Sequence, residues 1–168
     1  MRVPACTGNP DGVPAQYRAS APQACIGPDV GSNAQTETLF YDGHCGLCHR
    51  AVKFVLRHDR GGTAFRFAPL QGRTFQDALP LEQRAGLPDS MVLRTVDGKL
   101  LVRSDAWLRI LARLGRGWRI LGGVLRVIPR PVRDCSYDLV AAIRFRVFGR
   151  REELCPVVPA ELRERFDP

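Results

Sequence analysis

No apolar run in this chain is long enough to cross a membrane. The longest strongly apolar stretch, "ILGGVLRVI" from Ile120 to Ile128, falls far short of the about 18 residues a spanning helix needs, and it carries Arg126 inside it. The start of the chain, "MRVPACTGNPDGVPAQ", is punctuated by prolines and glycines and lacks the apolar core of a secretion signal. Those two absences make the cytoplasm the expected compartment. Cysteine is also sparse. Six cysteines, at positions 6, 25, 45, 48, 135 and 155, are too few and too unevenly spaced for a disulfide scaffold, and a chain of 168 residues buries a core without staples. Lysine is nearly missing, with two against 23 arginines.

What is present divides the chain unevenly. Residues 1–36 hold five prolines and four glycines without apolar periodicity, and their two Arg and two Asp cancel. Such a segment buries too little to offset its ordering entropy, so a disordered extension is expected there, with Cys6 and Cys25 as incidental thiols. All of the net charge of +8 therefore lies in residues 37–168. Eleven arginines stand against Asp134 and Asp138 between Arg109 and Arg151. That density suits an anionic lipid surface or an acidic protein, or else a plainly solvated basic face; nucleic acid, which it would also attract, is not the expected partner.

From Thr38 the pattern is that of a folded α/β domain. "TLFY" is an apolar run of strand composition ending at Asp42-Gly43, and "LCHRAVKFVLRH" then puts Leu47, Ala51, Val52, Val55 and Leu56 on one helical face. Gly61-Gly62 stops that helix, and "AFRFAPL" follows as a second strand, which makes a βαβ unit with parallel strands. A partly helical stretch, 73–85, leads to "SMVLRTVDGKLLVR", where Asp97-Gly98 between strand-like runs signals an antiparallel hairpin. Ser104 is expected to cap a helix with the face Trp107, Leu108, Leu111 and Leu114, closed by Gly115. The order is β-α-β-α-β-β-α. Two more helices are expected, about 118–128 and from Pro131 to Gly149; Leu139, Val140, Ile143 and Val147 give the latter an apolar stripe that should pack against something.

The chemistry concentrates in "YDGHCGLCH", Tyr41 to His49. Cys45 falls where the first strand's exit loop meets a helix start, and the free N–H groups and dipole there favour a thiolate. Cys48, one turn on, is placed to attack a mixed disulfide on Cys45. Asp42 either takes a proton when Cys48 deprotonates or serves as a turn residue. His44 and His49 either support a thiolate or are exposed polar residues of the helix start. The letters C-x-x-C-H also fit a haem tether, but that needs export, a haem cavity and a distal ligand, and only Met1, Met91 and His58 remain to supply one. Zinc needs four ligands, and a second C-x-x-C or H-x-H pair is absent; Cys45, Cys48, Cys155 and a histidine are the set that remains.

Asp42, Cys45 and Cys48 in "YDGHCGLC", followed by "RFAPLQ" from Arg66, "DSMVL" from Asp89, "RSDAWLRILARLG" from Arg103 and "IPRPVRDCSYDLVAAIRFRVFGRREELC" from Ile128, resemble the DCC-type thiol-disulfide oxidoreductases over everything after residue 36. The resemblance implies a thioredoxin-like mixed sheet with extra C-terminal helices, which agrees with the order read above. It implies protein or low-molecular-weight thiols and disulfides as partners, no bound cofactor, and Cys45, Cys48 and Asp42 as the site. Ordinary thioredoxins carry a cis-proline before the third strand and a tryptophan before the first cysteine; here Asp89-Ser90 and His44 stand in those places. Arg133, Asp134, Tyr137, Asp138 and Arg144 match the family's C-terminal block, as a buried network fixing the last helix or as a substrate groove. Cys155 matches a family position and is a candidate third redox thiol, whereas Cys135 is expected to be a small core residue.

Overall fold

The computed structural model describes residues 36–87, 91–150 and 159–167. The proposed disordered extension, apart from Thr36, lies outside them, as do Asp89-Ser90 and Cys155. Thr36 is tied down, its hydroxyl donating to the Thr63 carbonyl at 2.8 Å.

Four strands form one mixed sheet in the order β2-β1-β3-β4. β1 (Glu37–Tyr41) sits inside the sheet and is buried on both faces, which is why its sequence is a continuous apolar run and does not alternate. β2 (Phe65–Pro69) pairs with it in parallel, Tyr41 opposite Pro69. α1 (Gly46–His58) makes the crossover and buries Ala51, Val52, Val55 and Leu56 as its spacing predicts. α2 (Arg73–Ala78) and α3 (Leu81–Ala85) follow. β3 (Val92–Arg94) and β4 (Leu100–Val102) are the antiparallel hairpin, with Gly98 in the turn at φ +77°, a conformation that glycine adopts without strain. α4 (Arg103–Arg113) covers the same sheet face as α1, and Leu39, Phe67, Leu93, Val55 and Ile110 meet in the core between them. This is the thioredoxin-like mixed α/β arrangement.

Charge is buried at the foot of β1. Glu37 has no solvent exposure and accepts from Arg109 Nε and Nη2 at 2.9 and 2.6 Å. The short segment 159–167 returns along β2: the Phe67 N–H donates to the Arg165 carbonyl at 2.9 Å and the Phe67 carbonyl accepts the Asp167 N–H at 2.8 Å, on either side of Phe166, whose ring stacks on Phe67 at 5.2 Å. It covers what would be an open strand edge.

The C-terminal helices depart from expectation in their orientation. α5 (Arg116–Val127) and α6 (Arg130–Phe148) form where predicted, and Gly149 ends α6 at φ +70°. Yet Leu139, Val140, Ile143 and Val147 do not pack inward; they are 42–61% exposed. α6 turns its polar side to the core. Ser104 does not cap α4 through its own side chain, because the helix already begins at Arg103. Asp134 of α6 does that work from outside: its Oδ1 accepts from the Ser104 hydroxyl at 2.5 Å and from the Ser104 N–H at 3.4 Å. Arg130 pairs with Asp105 at 2.5 Å and Arg103 with Asp138 at 3.2 Å across the same junction. These ionic contacts bind α6 to the start of α4, so its opposite, apolar face is left outward. Cys135 is exposed and disulfide-bonded, so it is not the small core residue expected.

Candidate functional site

The end of β1 and the start of α1 bring Asp42, Cys45 and Cys48 together, as the sequence pattern implied. Cys45 is the N-cap of α1 with extended backbone, and its Sγ accepts the Cys48 N–H at 3.3 Å, one of the bonds that close the first turn. A sulfur can cap a helix in this way only by carrying electron density toward the free amides, and so the geometry favours the thiolate. The Cys45 pKa is lowered from 9.0 to about 6, first by the hydrogen bond from the Cys48 thiol, then by the Cys48 and Leu47 amides and the Arg144 charge, with burial acting in opposition. Cys48 moves the other way. Its proton is held by the Cys45 sulfur, and burial together with the charges of Cys45 and Asp42 disfavours a second anion there. The pair is thus one thiolate and one thiol sharing a proton.

Asp42 is buried and belongs to this cluster. Its Oδ1 accepts the His44 N–H at 3.0 Å, the turn role open to it in the sequence, and also the Gln71 side-chain amide at 3.1 Å. Its Oδ2 faces Arg144 Nη2 at 3.5 Å. Gln71 in turn accepts the Gly43 N–H at 3.1 Å, so it braces the loop ahead of the cysteines from both sides. Sequence reasoning gives Gln71 no role, although it closes the "RFAPLQ" block. The signal was available: β1 and β2 are parallel and in register at Tyr41 and Pro69, so residues two past each strand end meet. His44 is exposed, whereas His49 is buried and its Nε2 donates to the Gly43 carbonyl at 2.7 Å. His49 therefore holds the loop.

The block matched in α6 divides. Asp134, Asp138 and Arg133 serve the α4 junction, Arg133 lying 3.7 Å from Asp105. Arg144 alone reaches the cysteine site, and together with Tyr137 and Arg133 it lines a cavity of about 620 Å³ between α1, α4, α5 and α6. The walls of that cavity are otherwise almost wholly aliphatic and aromatic, with Cys48 among them. A more polar cleft of about 640 Å³ lies on the other side, where Asp42, His44, Gln71 and Arg150 meet.

Cys45 itself has no solvent exposure. The chain leaving α6 crosses it: Arg150 pairs with Cys45 as an antiparallel bridge, and the Gly46 N–H points at the Gly149 carbonyl at 3.4 Å. Gly46 is required at this crossing, since a Cβ there would stand 2.3 Å from the Phe148 carbonyl oxygen. The glycine between the cysteines admits a strap over Cys45, a role its sequence position does not announce. Among the described residues, no three His, Cys, Asp or Glu side chains are grouped so as to hold a metal ion.

Comparison with known proteins agrees with this geometry. The DCC1-like thiol-disulfide oxidoreductase family matches residues 39–150, the span from mid-β1 to the strap. The chain is 34% identical over 134 residues to the uncharacterized protein YuxK of Bacillus subtilis, covering 77% of this chain and 93% of that one. It is 33% identical over 114 residues to a chloroplastic DCC family protein of Arabidopsis thaliana, covering 68% and 66%. No solved structure matches it. The chain belongs to the DCC1-like thiol-disulfide oxidoreductase family.

Proposed function

We propose that the protein exchanges a Cys45–Cys48 disulfide with the thiols and disulfides of other molecules, Cys45 acting as the attacking sulfur and Cys48 as the resolving one. The observation that carries this reading is the split within the pair: a capped thiolate at Cys45 hydrogen-bonded to a protonated Cys48. In the oxidising direction for the protein, the Cys45 thiolate attacks a partner disulfide, forms a mixed disulfide and expels the partner's second sulfur as thiolate. Cys48 then loses its proton and attacks the Cys45 sulfur. The Cys45–Cys48 disulfide forms and the remaining partner thiolate leaves, so two electrons pass from the dithiol to the partner.

Asp42 is proposed to time the second step. The hydrogen bond to Cys45 and burial keep Cys48 protonated while Cys45 is a thiolate, and the Asp42 charge adds to them. Once Cys45 is in a mixed disulfide that thiolate charge is gone, and the buried carboxylate becomes the nearby base for the Cys48 proton. The partner's sulfur reaches Cys45 only when the Phe148–Arg150 crossing moves aside.

The test is alkylation and mass spectrometry of the whole protein across a graded glutathione buffer, with Cys48→Ser in parallel. The expected outcome is one two-electron transition linking Cys45 and Cys48, and accumulation of a glutathione adduct on Cys45 in the Cys48→Ser protein. A pair that stays reduced in every buffer, or a Cys48→Ser protein that forms no adduct on Cys45, would overturn the assignment.

A further inference from the structure

Ten of the twelve large exposed hydrophobic side chains among the described residues lie between Ile120 and Val147. They form two stripes. On α5, Ile120, Val124 and Val127 follow helical spacing and are 61–83% exposed; on α6, Leu139, Ile143 and Val147 do the same at 42–61%. Ile128, Val132 and Val140 are exposed as well and are among the residues that line the 620 Å³ apolar cavity, to which both helices contribute. An exposed apolar area of this extent, built by a helix that spends its charged side inward, is the mark of a surface that something covers.

We infer that this face lies in the interfacial layer of an anionic lipid bilayer. Arg116, Arg119 and Arg126 on α5 and Arg146 on α6 are exposed beside the stripes, and none has an ion-pair partner among the described residues. The acids of α6, Asp134 and Asp138, are turned inward and paired, and α5 has none, so the exposed charge on these two helices is of one sign. Apolar stripes rimmed by arginine on helices too short and too polar to span are the pattern of helices lying in the plane of a membrane surface. A second copy is disfavoured, because a two-fold contact of this face with itself brings arginine rim against arginine rim. A protein partner is disfavoured by composition: all ten side chains are Val, Leu or Ile, with none of the aromatic anchors that dominate protein interfaces. The inference stands apart from the redox reading, although the apolar cavity that both helices help to line has Cys48 among its walls.

The experiment is flotation of the full chain, with both cysteines reduced, on vesicles of phosphatidylcholine mixed with phosphatidylglycerol and on vesicles of phosphatidylcholine alone. Binding is expected on the mixed vesicles and to weaken as salt rises. The charge-reversed pair Arg119→Glu/Arg126→Glu should lower the bound fraction by about tenfold or more. Val124→Asp/Ile143→Asp should abolish it while leaving circular dichroism and glutathione exchange unchanged. Absence of binding to the mixed vesicles overturns the inference, and so does equal binding to both vesicle types. A protein that is dimeric by light scattering, that becomes monomeric with Val124→Asp/Ile143→Asp and that ignores vesicles assigns the face to a second copy. Loss of glutathione exchange with vesicle binding intact would sink the redox assignment alone.

Discussion

α1 and α6 are both amphipathic, and they bury opposite sides. α1 turns Val52 and Val55 into the core at zero exposure and leaves Arg50, Lys53 and Arg57 outside or near the surface. α6 buries Arg144 and half-buries Arg133, Asp134 and Asp138, while Leu139, Ile143 and Val147 face out. The difference lies in what each helix meets. α1 is laid on the apolar part of a sheet face, Leu39, Tyr41, Phe67 and Leu93, where hydrophobic burial decides its rotation. α6 meets the polar start of α4 and the Asp42 carboxylate, where unpaired charges would cost more than exposed valines. Amphipathy therefore says that a helix has two sides but not which one the fold will choose.

The sharpest way to break the comparison is to give α1 the inward polarity of α6 without its partners. Val52→Asp places a carboxylate at a fully buried site among aliphatic side chains. It should cost more than about 4 kcal/mol and leave little folded protein in a urea titration. Next in size is removal of the inward charge of α6. Arg144→Met leaves Asp42 buried opposite a thioether, a loss of about 3 kcal/mol, and the double change with Asp42→Asn should recover part of it. The same variant also removes a positive charge from the Cys45 thiolate, so the midpoint of thiolate ultraviolet absorbance should rise above about 6.

That lowered pKa has a signature in stability. The folded Cys45 ionises near pH 6 and the unfolded one near 9.0, so between those values the folded state binds fewer protons. The contribution is complete above pH 9.0 and is lost as pH falls through about 6. Urea midpoints of the reduced protein, compared with Cys45→Ala at each pH, should show the difference between the two proteins growing across that window. A pH-independent difference would mean that the thiolate is not held by the fold.

Much of this was readable in advance because it is local. The β1–α1–β2 unit follows from a switch of hydrophobic period within a few residues, the β3–β4 hairpin from Asp97-Gly98, and the place of Cys45 at the start of α1 from the strand-to-helix junction. The residues that complete the site come from further away. Gln71 acts 29 positions from Asp42 and Arg144 acts 102 positions from it. Nothing in the sequence of α6 chooses between its two stripes, because the deciding partners, Ser104 and Asp105, sit on another helix. The strap over Cys45 is equally silent: Gly46 reads as an ordinary x of C-x-x-C until the Phe148 carbonyl is seen against it. Gly46→Ala should push that carbonyl away at a cost of about 1–3 kcal/mol and speed Cys45 alkylation in the folded protein.

The smallest effect is the most telling for the comparison. Val52 and Ile143 are both β-branched aliphatic residues on inner turns of their helices, and sequence alone places both in a core-facing stripe. If α6 is oriented by its charges, Ile143→Asp changes stability by no more than about 0.5 kcal/mol, since its side chain is already 42% exposed and the contacts that hold the helix are on the other side. A loss approaching that of Val52→Asp, measured in the same urea series, would mean that the stripe is packed in solution and that the ionic junction with α4 does not set the rotation of α6. A near-zero change, beside a large one for Arg144→Met, would show that the last helix is fastened by its polar side and leaves its apolar side free for another surface.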